Sequence, residues 1–314
     1  MTSLHFAQIS DIHFSSLGSH HELLSDHASD ILAGIIADLN RQADLDFVLI
    51  TGDLFDIADQ AEFDQFQAAI KQLDKPYYII PGNHDRRTLD RTAGLTRRDF
   101  ARHFNPQFNQ RPTAPEAQAG YWSITVDPQV QIIGLDSIRD ADWGGVIDDL
   151  QLRWLEQELD THSDKFVIVA VHHPLHKLAP VDDHPNFTKF VCSNGPQLLD
   201  VLDAHPQVKL VLTGHHHQTK VDNLGDRLHA AAPSTTIYPL AYRTFRLAQP
   251  DGGRWQIDWQ THNAADPQLI DQARAAMIDA WHNAAGFDLD FVEQHVVLAL
   301  GNEADRHGNH IFDA

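Results

Sequence analysis

A mixed α/β fold is expected for this chain on three grounds. Short apolar runs rich in β-branched and aromatic residues recur along it. Apolar residues at helical spacing lie between several of those runs. Beyond residue 220, strand-like runs instead follow one another with no helical pattern between them. Alternation of strand and helix argues for parallel α/β units, and the later strands argue for a mixed sheet system, with two sheets packed together.

The elements follow in order. Residues 4–9, 47–50, 77–80, 130–135, 166–171 and 209–212 read as buried strands. Ile31, Ile35, Ile36 and Leu39 mark a helix after the first strand. Phe63, Phe66, Ile70 and Leu73 mark a second, and Leu152, Leu155 and Leu159 with Trp154 a third. Residues 228–232, 244–247 and 254–259 read as further strands. From about residue 262 the pattern changes. Leu269, Ile270, Ala273, Ala276, Met277, Ala280, Trp281 and Ala284 trace an apolar helical stripe. Phe291, Val292, Val296, Val297 and Leu300 suggest a short second helix. We therefore expect a main domain over 1–261 and a helical C-terminal appendage over 262–314, with the last dozen polar residues frayed.

Composition narrows the partners. At 42% hydrophobic and 21% charged residues, the 314-residue chain has ample material for a core. No run of 18 apolar residues is present, so no membrane span is expected. The N-terminus passes at once into a strand-like stretch and lacks signal-peptide features. A single cysteine, Cys192, cannot form an internal disulfide, and the cytoplasm is the expected compartment. The formal net charge of −21 repels a phosphate backbone, so no nucleic-acid partner is expected. A small anionic substrate remains compatible, because bound cations reverse the field locally.

The chemistry lies at strand ends. The run 6–9 ends in Ser10-Asp11-Ile12-His13, and 47–51 ends in Gly52-Asp53. The run 77–80 leads to Pro81-Gly82-Asn83-His84-Asp85. The run 166–171 ends in His172-His173-Pro174, and 210–213 in Gly214-His215-His216-His217. In open α/β sheets the carboxyl ends of strands meet at the ligand crevice. Five such loops would gather carboxylates, an amide and imidazoles at one edge, with no thiolate. That donor set suits Mn, Fe, Zn or Co and not a structural zinc site. Seven ligands are too many for one tetrahedral ion and about right for two that share a carboxylate. Two metal ions about 3.5–4 Å apart form a clamp for in-line phosphoryl displacement: they activate a bridging water and steady the phosphate oxygens. A nearby imidazole can protonate the leaving alkoxide.

Together, Asp11-x-His13, Gly52-Asp53-Leu54-Phe55-Asp56, Gly82-Asn83-His84-Asp85, His172-His173-Pro174 and Gly214-His215-x-His217 resemble the calcineurin-like metallophosphoesterase superfamily. Gly82-Asn83-His84-Asp85-Arg86, Gln151-Leu152-Arg153-Trp154-Leu155 and Ala232-Pro233-Ser234-Thr235 are similar more narrowly to its bacterial class III cyclic-nucleotide and glycerophosphodiester phosphodiesterases. The resemblance implies a four-layer α/β/β/α sandwich over 1–261. It implies that Asp11, His13 and His217 hold one metal ion and that Asn83, His172 and His215 hold the other, with Asp53 between them. His84 would be the acid, contacting substrate together with Asn83. The two ions would be Fe and Mn, ahead of Zn or Co. The implied activity is hydrolysis of a small phosphodiester. A phosphomonoesterase or nucleotide phosphatase is the alternative, and a non-catalytic scaffold of the same fold a further one. The helical C-terminus suits a homodimer contact.

Blander readings stand beside these. Any one candidate alone could be a cap or a loop hydrogen-bonding group. Asp56 reads as a turn or helix cap, Asp85 as a carboxylate orienting its neighbours, and Cys192 as an ordinary core thiol. Arg86 and Arg87 suit either substrate contact or a solvated ion pair. Asp136-Ser137 could cap the segment after its strand. The stretch 176–196 is a long loop, and within it Asp182, Asp183, His184, Asn186 and Phe187 are candidates for the pocket rim.

Overall fold

Side chains that alternate along the strands build several cores at once in this chain. A computed structural model describes residues 2–86, 94–104 and 120–313. Its strands are β1 (Thr2–Ile9), β2 (Phe47–Ile50), β3 (Tyr77–Ile79), β4 (Trp122–Asp127), β5 (Val130–Gly134), β6 (Phe166–Ala170), β7 (Val208–Thr213), β8 (Lys220–Asn223), β9 (Leu228–Ala231), β10 (Ala241–Gln249), β11 (Gln256–Asn263) and β12 (His307–Ile311). Its helices are α1 (Ala28–Arg41), α2 (Gln60–Ile70), α3 (Arg97–Phe104), α4 (Asp149–Thr161), α5 (Gly195–Asp203), α6 (Pro267–Ile278), α7 (Leu289–Leu300) and the short α8 (Glu303–Arg306). A π-helical turn, Asp279–Ala284, continues α6.

The strands form two six-stranded sheets, ordered β12-β11-β10-β1-β2-β3 and β4-β5-β6-β7-β9-β8. In the first, β1, β2 and β3 run parallel. In the second, β5, β6, β7 and β9 do. Phe6, Leu49 and Phe245 of the first sheet meet Ile132, Ile168 and Leu212 of the second. The intervening residues point outward. Ala7, Ile9, Val48 and Ile50 face α1, α2, α3, α6 and α7, whereas Ile133, Val167 and Val169 face α4 and α5. The layers are therefore helix, sheet, sheet, helix, as the resemblance implied. Residues buried on both faces explain why these strands read as unbroken apolar runs rather than as alternating ones.

The C-terminal segment departs from expectation. The two expected helices form, as α6 and α7, and bury Ala273, Met277, Val292 and Val296 in the same core as α1. The tail expected to fray is instead the edge strand β12, paired antiparallel with β11. Phe312 beyond it is fully buried and meets Phe166 edge-on at 5.3 Å. An edge strand half open to solvent can be polar, and that disguised His307-Gly308-Asn309-His310 as a tail. The expected boundary at 261/262 also falls inside β11. Phe312→Ala should then cost about 3–5 kcal/mol of stability, read from urea denaturation. A loss below about 1 kcal/mol would detach this strand from the folding unit. No helix among the described residues is long and apolar enough to cross a membrane.

Candidate metal centre

The parallel strands end in tight loops, and those loops are strained. Asp11, His13, Asp53, His215 and His217 all adopt left-handed backbone conformations, with φ of 54, 47, 53, 68 and 58°. Such conformations cost non-glycine residues roughly 1–3 kcal/mol each, so the surroundings must impose them. They do so through a lattice of hydrogen bonds. Asp11 N donates to Gly52 O at 3.0 Å, and Ile12 N and His13 N donate to Asp53 O at 2.8 and 3.1 Å. Ser234 Oγ donates to Asp11 O at 2.7 Å, which explains the Ala232–Thr235 motif as a brace for the first loop. A Cβ on Gly82 would lie 2.1 Å from Asp53 Oδ1, so only glycine lets the third loop close on the second.

Three overlapping groups of donors result among the described residues: Asp11, His13 and His217; His13, Asp53 and His84; and Asp53, His172 and His215. Asp53 and His13 each belong to two groups. His13 Nε2 lies 3.4 Å from His217 Nε2 and 3.8 Å from Asp53 Oδ2. His172 Nε2 lies 3.3 Å from the same Asp53 oxygen and 3.2 Å from Asn83 Oδ1. Backbone carbonyls fix the tautomers. His172 Nδ1 donates to Thr51 O at 2.7 Å, so its Nε2 lone pair is turned toward Asp53. His215 Nε2 donates to Lys189 O at 3.3 Å, which leaves Nδ1 as the nitrogen available to a cation. Buried imidazole nitrogens pointing at one another and at shared carboxylates are a donor set made for cations. The residues present fit two metal ions.

Electrostatics agree with the geometry. Burial opposes the charge on Asp53, but His172 and His84 outweigh it and hold the carboxyl well below the usual range. Burial and then the His84 charge push His13 down to about 4. Desolvation by the surrounding loops opposes charge on His84. The Asp53 and Asp56 carboxylates outweigh it and push His84 up to about 10. Bound cations would oppose that rise.

Asp85 organises the loops rather than facing the donors. It is fully buried and accepts from Asp53 N at 3.0 Å, Leu54 N at 2.7 Å and Gly82 N at 2.8 Å. Burial and then the Asp53 charge push it up to about 7. Asp85→Ala strands these backbone donors. It should cost about 3 kcal/mol of stability in urea denaturation and lower kcat by roughly 10–100-fold. A variant as stable as wild type would remove Asp85 from this role.

Residues 4–219 match the family model for calcineurin-like phosphoesterases. The chain belongs to this family. Its members use divalent metal ions, in keeping with the donor groups above. Over 233 residues the chain is 30% identical to a protein of Arcobacter nitrofigilis named as a probable glycerophosphodiester phosphodiesterase, covering 73% of this chain and 78% of that protein. It is 28% identical to a 3′,5′-cyclic-nucleotide phosphodiesterase of Nostoc, with 68% and 71% covered. It is 26% identical to the 3′,5′-cyclic adenosine monophosphate phosphodiesterase of Escherichia coli K12, with 73% and 75% covered. The fold aligns with a dimetal phosphatase from Danio rerio at a TM-score of 0.67 and 14% identity, covering 84% of this chain and 97% of that one.

Within this calcineurin-like site, other candidates separate. Among the described residues Asp56 caps no helix: Asp59 caps α2, while Asp56 accepts from Ser15 Oγ at 2.9 Å and lies 3.6 Å from His84 Nδ1. His173 has both nitrogens engaged, by Ser137 Oγ at 2.8 Å and by Trp143 O at 3.0 Å. Arg86 is buried between Asp136 at 3.0 Å and Asp140 at 2.5 Å, so it anchors loops rather than facing solvent. Arg87 lies outside the described residues. Asp182 binds His216 Nε2 at 2.5 Å, whereas Asp183 is exposed and pairs with Lys177. Cys192 is buried and unpaired. Sequence reasoning missed Thr51 and Lys189, because they act through carbonyls, which every residue carries. It also missed Trp143 and Phe190, whose rings stand beside His215.

Proposed function

We propose that this chain hydrolyses a small phosphodiester, a 3′,5′-cyclic nucleotide or a glycerophosphodiester, with two metal ions bound. The observation that carries the reading is the set of three donor groups overlapping at Asp53 and His13. The names of the relatives support a diester over a monoester. Asp11, His13 and His217 would hold one ion, Asn83, His172 and His215 the other, with Asp53 shared. Fe and Mn are the ions we favour, ahead of Zn and Co. When bound, the ions polarise the phosphate and make water nucleophilic at neutral pH.

The chain's own groups do the rest. His84 Nδ1 donates to Asp56 O at 2.7 Å, which leaves Nε2 for the substrate. Its side chain is 38% exposed, enough for a substrate oxygen to reach it. The Asp56 carboxylate, 3.6 Å from Nδ1, would support a protonated ring that delivers its Nε2 proton to the leaving alkoxide. The buried Thr51 carbonyl keeps the His172 ring aligned.

The test is a substrate panel on metal-reconstituted protein: cyclic AMP, cyclic GMP, 2′,3′-cyclic nucleotides, glycerophosphodiesters and nucleotide monophosphates. Cleavage of the monoesters with the diesters left intact would make it a phosphomonoesterase. A metal content clearly below one ion per chain would favour a scaffold. A homodimer belongs to the same reading, because α7 exposes Val297 at 66% and Leu289 at 44%. A monomer in light scattering would remove it. The free Cys192 thiol suits a reducing compartment such as the cytoplasm.

A further inference from the structure

Behind His84 stands a second imidazole, His20, which lies outside all five strand-end motifs. It sits on the loop 15–24, between β1 and α1. That loop is tied to the one carrying Asp56. Ser16 N donates to Glu62 Oε1 at 2.9 Å, and Ile57 N and Ala58 N donate to Glu62 Oε2 at 3.0 and 2.7 Å. Within the loop, His20 N and Leu23 N donate to each other's carbonyls at 3.2 and 2.9 Å. The turn so formed brings His20 Nε2 to 3.3 Å from Asp56 Oδ2. Its other ring nitrogen, Nδ1, donates to Gly18 O at 2.9 Å. Both neighbours are acceptors, so the ring satisfies both when each nitrogen carries a proton.

Asp56 is thereby held from several directions. Its backbone N donates to Phe14 O at 2.8 Å. Its Oδ2 accepts from Ser15 Oγ at 2.9 Å and faces His20. Its Oδ1 is left toward His84 Nδ1 at 3.6 Å, while the hydrogen on that nitrogen goes to the Asp56 carbonyl at 2.7 Å. The carboxylate is buried, so protein donors rather than bulk water set its plane. One hydroxyl on Oδ2 still lets a carboxylate swivel about its bond to Cβ; a second donor on the same oxygen stops it. Freed from His20, Oδ1 would compete with the carbonyl for the Nδ1 hydrogen and turn the His84 ring. The far nitrogen, Nε2, would swing away with it.

We propose that His20 is a positioning residue: through Asp56 it keeps the His84 ring aimed at the leaving-group oxygen. The proposal rests on the reading of His84 as the acid. Residues that lock a reacting side chain in this way govern its alignment rather than its chemistry.

Turnover of cyclic AMP and of bis-(p-nitrophenyl) phosphate by manganese-loaded His20→Ala, His20→Gln, Asp56→Asn and the double variant His20→Ala with Asp56→Asn tests it. In His20→Ala, kcat for cyclic AMP should fall about tenfold, a part of an acid's full contribution, with KM within about twofold. Bis-(p-nitrophenyl) phosphate, whose leaving group needs no proton, should lose far less, and metal content should match wild type. Glutamine places an amide donor near the position of Nε2, so His20→Gln should restore most of the loss. Because His20 acts through Asp56, the double variant should lose no more than Asp56→Asn alone. Equal losses on both substrates, or losses that add in the double variant, would mean a merely structural loop and overturn the proposal, as would no loss at all. If wild type cleaves no diester, the phosphodiesterase reading falls, and the His84 Nδ1 proton decides instead. In nitrogen-15 spectra of zinc-loaded protein that proton should exchange slowly in wild type and His20→Gln and rapidly in His20→Ala. Slow exchange retained in His20→Ala would overturn the positioning role.

Discussion

Asp53→Asn should lower kcat/KM toward bis-(p-nitrophenyl) phosphate by about a thousandfold or more, and bound metal should fall from about two ions per chain to one or fewer. The change is nearly isosteric, so size is not at issue. Asp53 Oδ1 accepts from His84 N at 2.9 Å, which an amide oxygen can also do. Oδ2 is the atom that His172 and His13 approach, at 3.3 and 3.8 Å. An amide nitrogen there presents hydrogens where a cation would sit, and it carries no charge. Two donor groups lose their shared member at once, so the effect should exceed that of removing an outlying member such as His217. Metal analysis and turnover on the same sample check it. Full metal content with unchanged turnover would mean that the ions bind and act without the Asp53 carboxylate.

How far the sequence foretold this follows from where each residue sits. Buried parallel strands read as apolar runs, and their ends are abrupt, so the change to Asp or His after Ile9, Ile50 and Val171 was legible. The edge strands were not. β8 and β12 are short, polar and half exposed, and β4 is only partly buried. α3 also escaped notice, because RRDFARHF is dominated by charge and only Phe100, Ala101 and Phe104 turn inward. α5 opens on Gly-Pro, which reads as a loop. At the site, residue types were legible and conformations were not. Nothing in Asp11 or His215 announces a left-handed backbone; the hydrogen bonds from neighbouring loops impose it. By its sequence Arg86 suits either a substrate contact or a solvated ion pair, whereas its burial between Asp136 and Asp140 depends on a loop about 50 positions away in the chain.

His84→Ala should separate proton transfer from metal binding. Turnover of a diester with a poor alkoxide leaving group, such as cyclic AMP, should fall by about 10²- to 10⁴-fold, the usual contribution of a positioned acid. Bis-(p-nitrophenyl) phosphate should lose far less, because p-nitrophenolate leaves without a proton. Metal content should stay near that of wild type. The contrast matters because His84 also belongs to a donor group, with His13 and Asp53. Its Nδ1 is committed to Asp56 O at 2.7 Å, and its ring meets His13 edge-on at 4.9 Å. Only Nε2 is left, and it can either donate a proton or bind an ion. As an acid, His84 is needed in proportion to the basicity of the leaving group, so the loss should grow along a series of aryl and alkyl diesters. As a ligand, it would be needed equally by all of them, and its removal would cost metal. Parallel losses on both substrates, with an ion missing, would move His84 from the acid's role to the metal's.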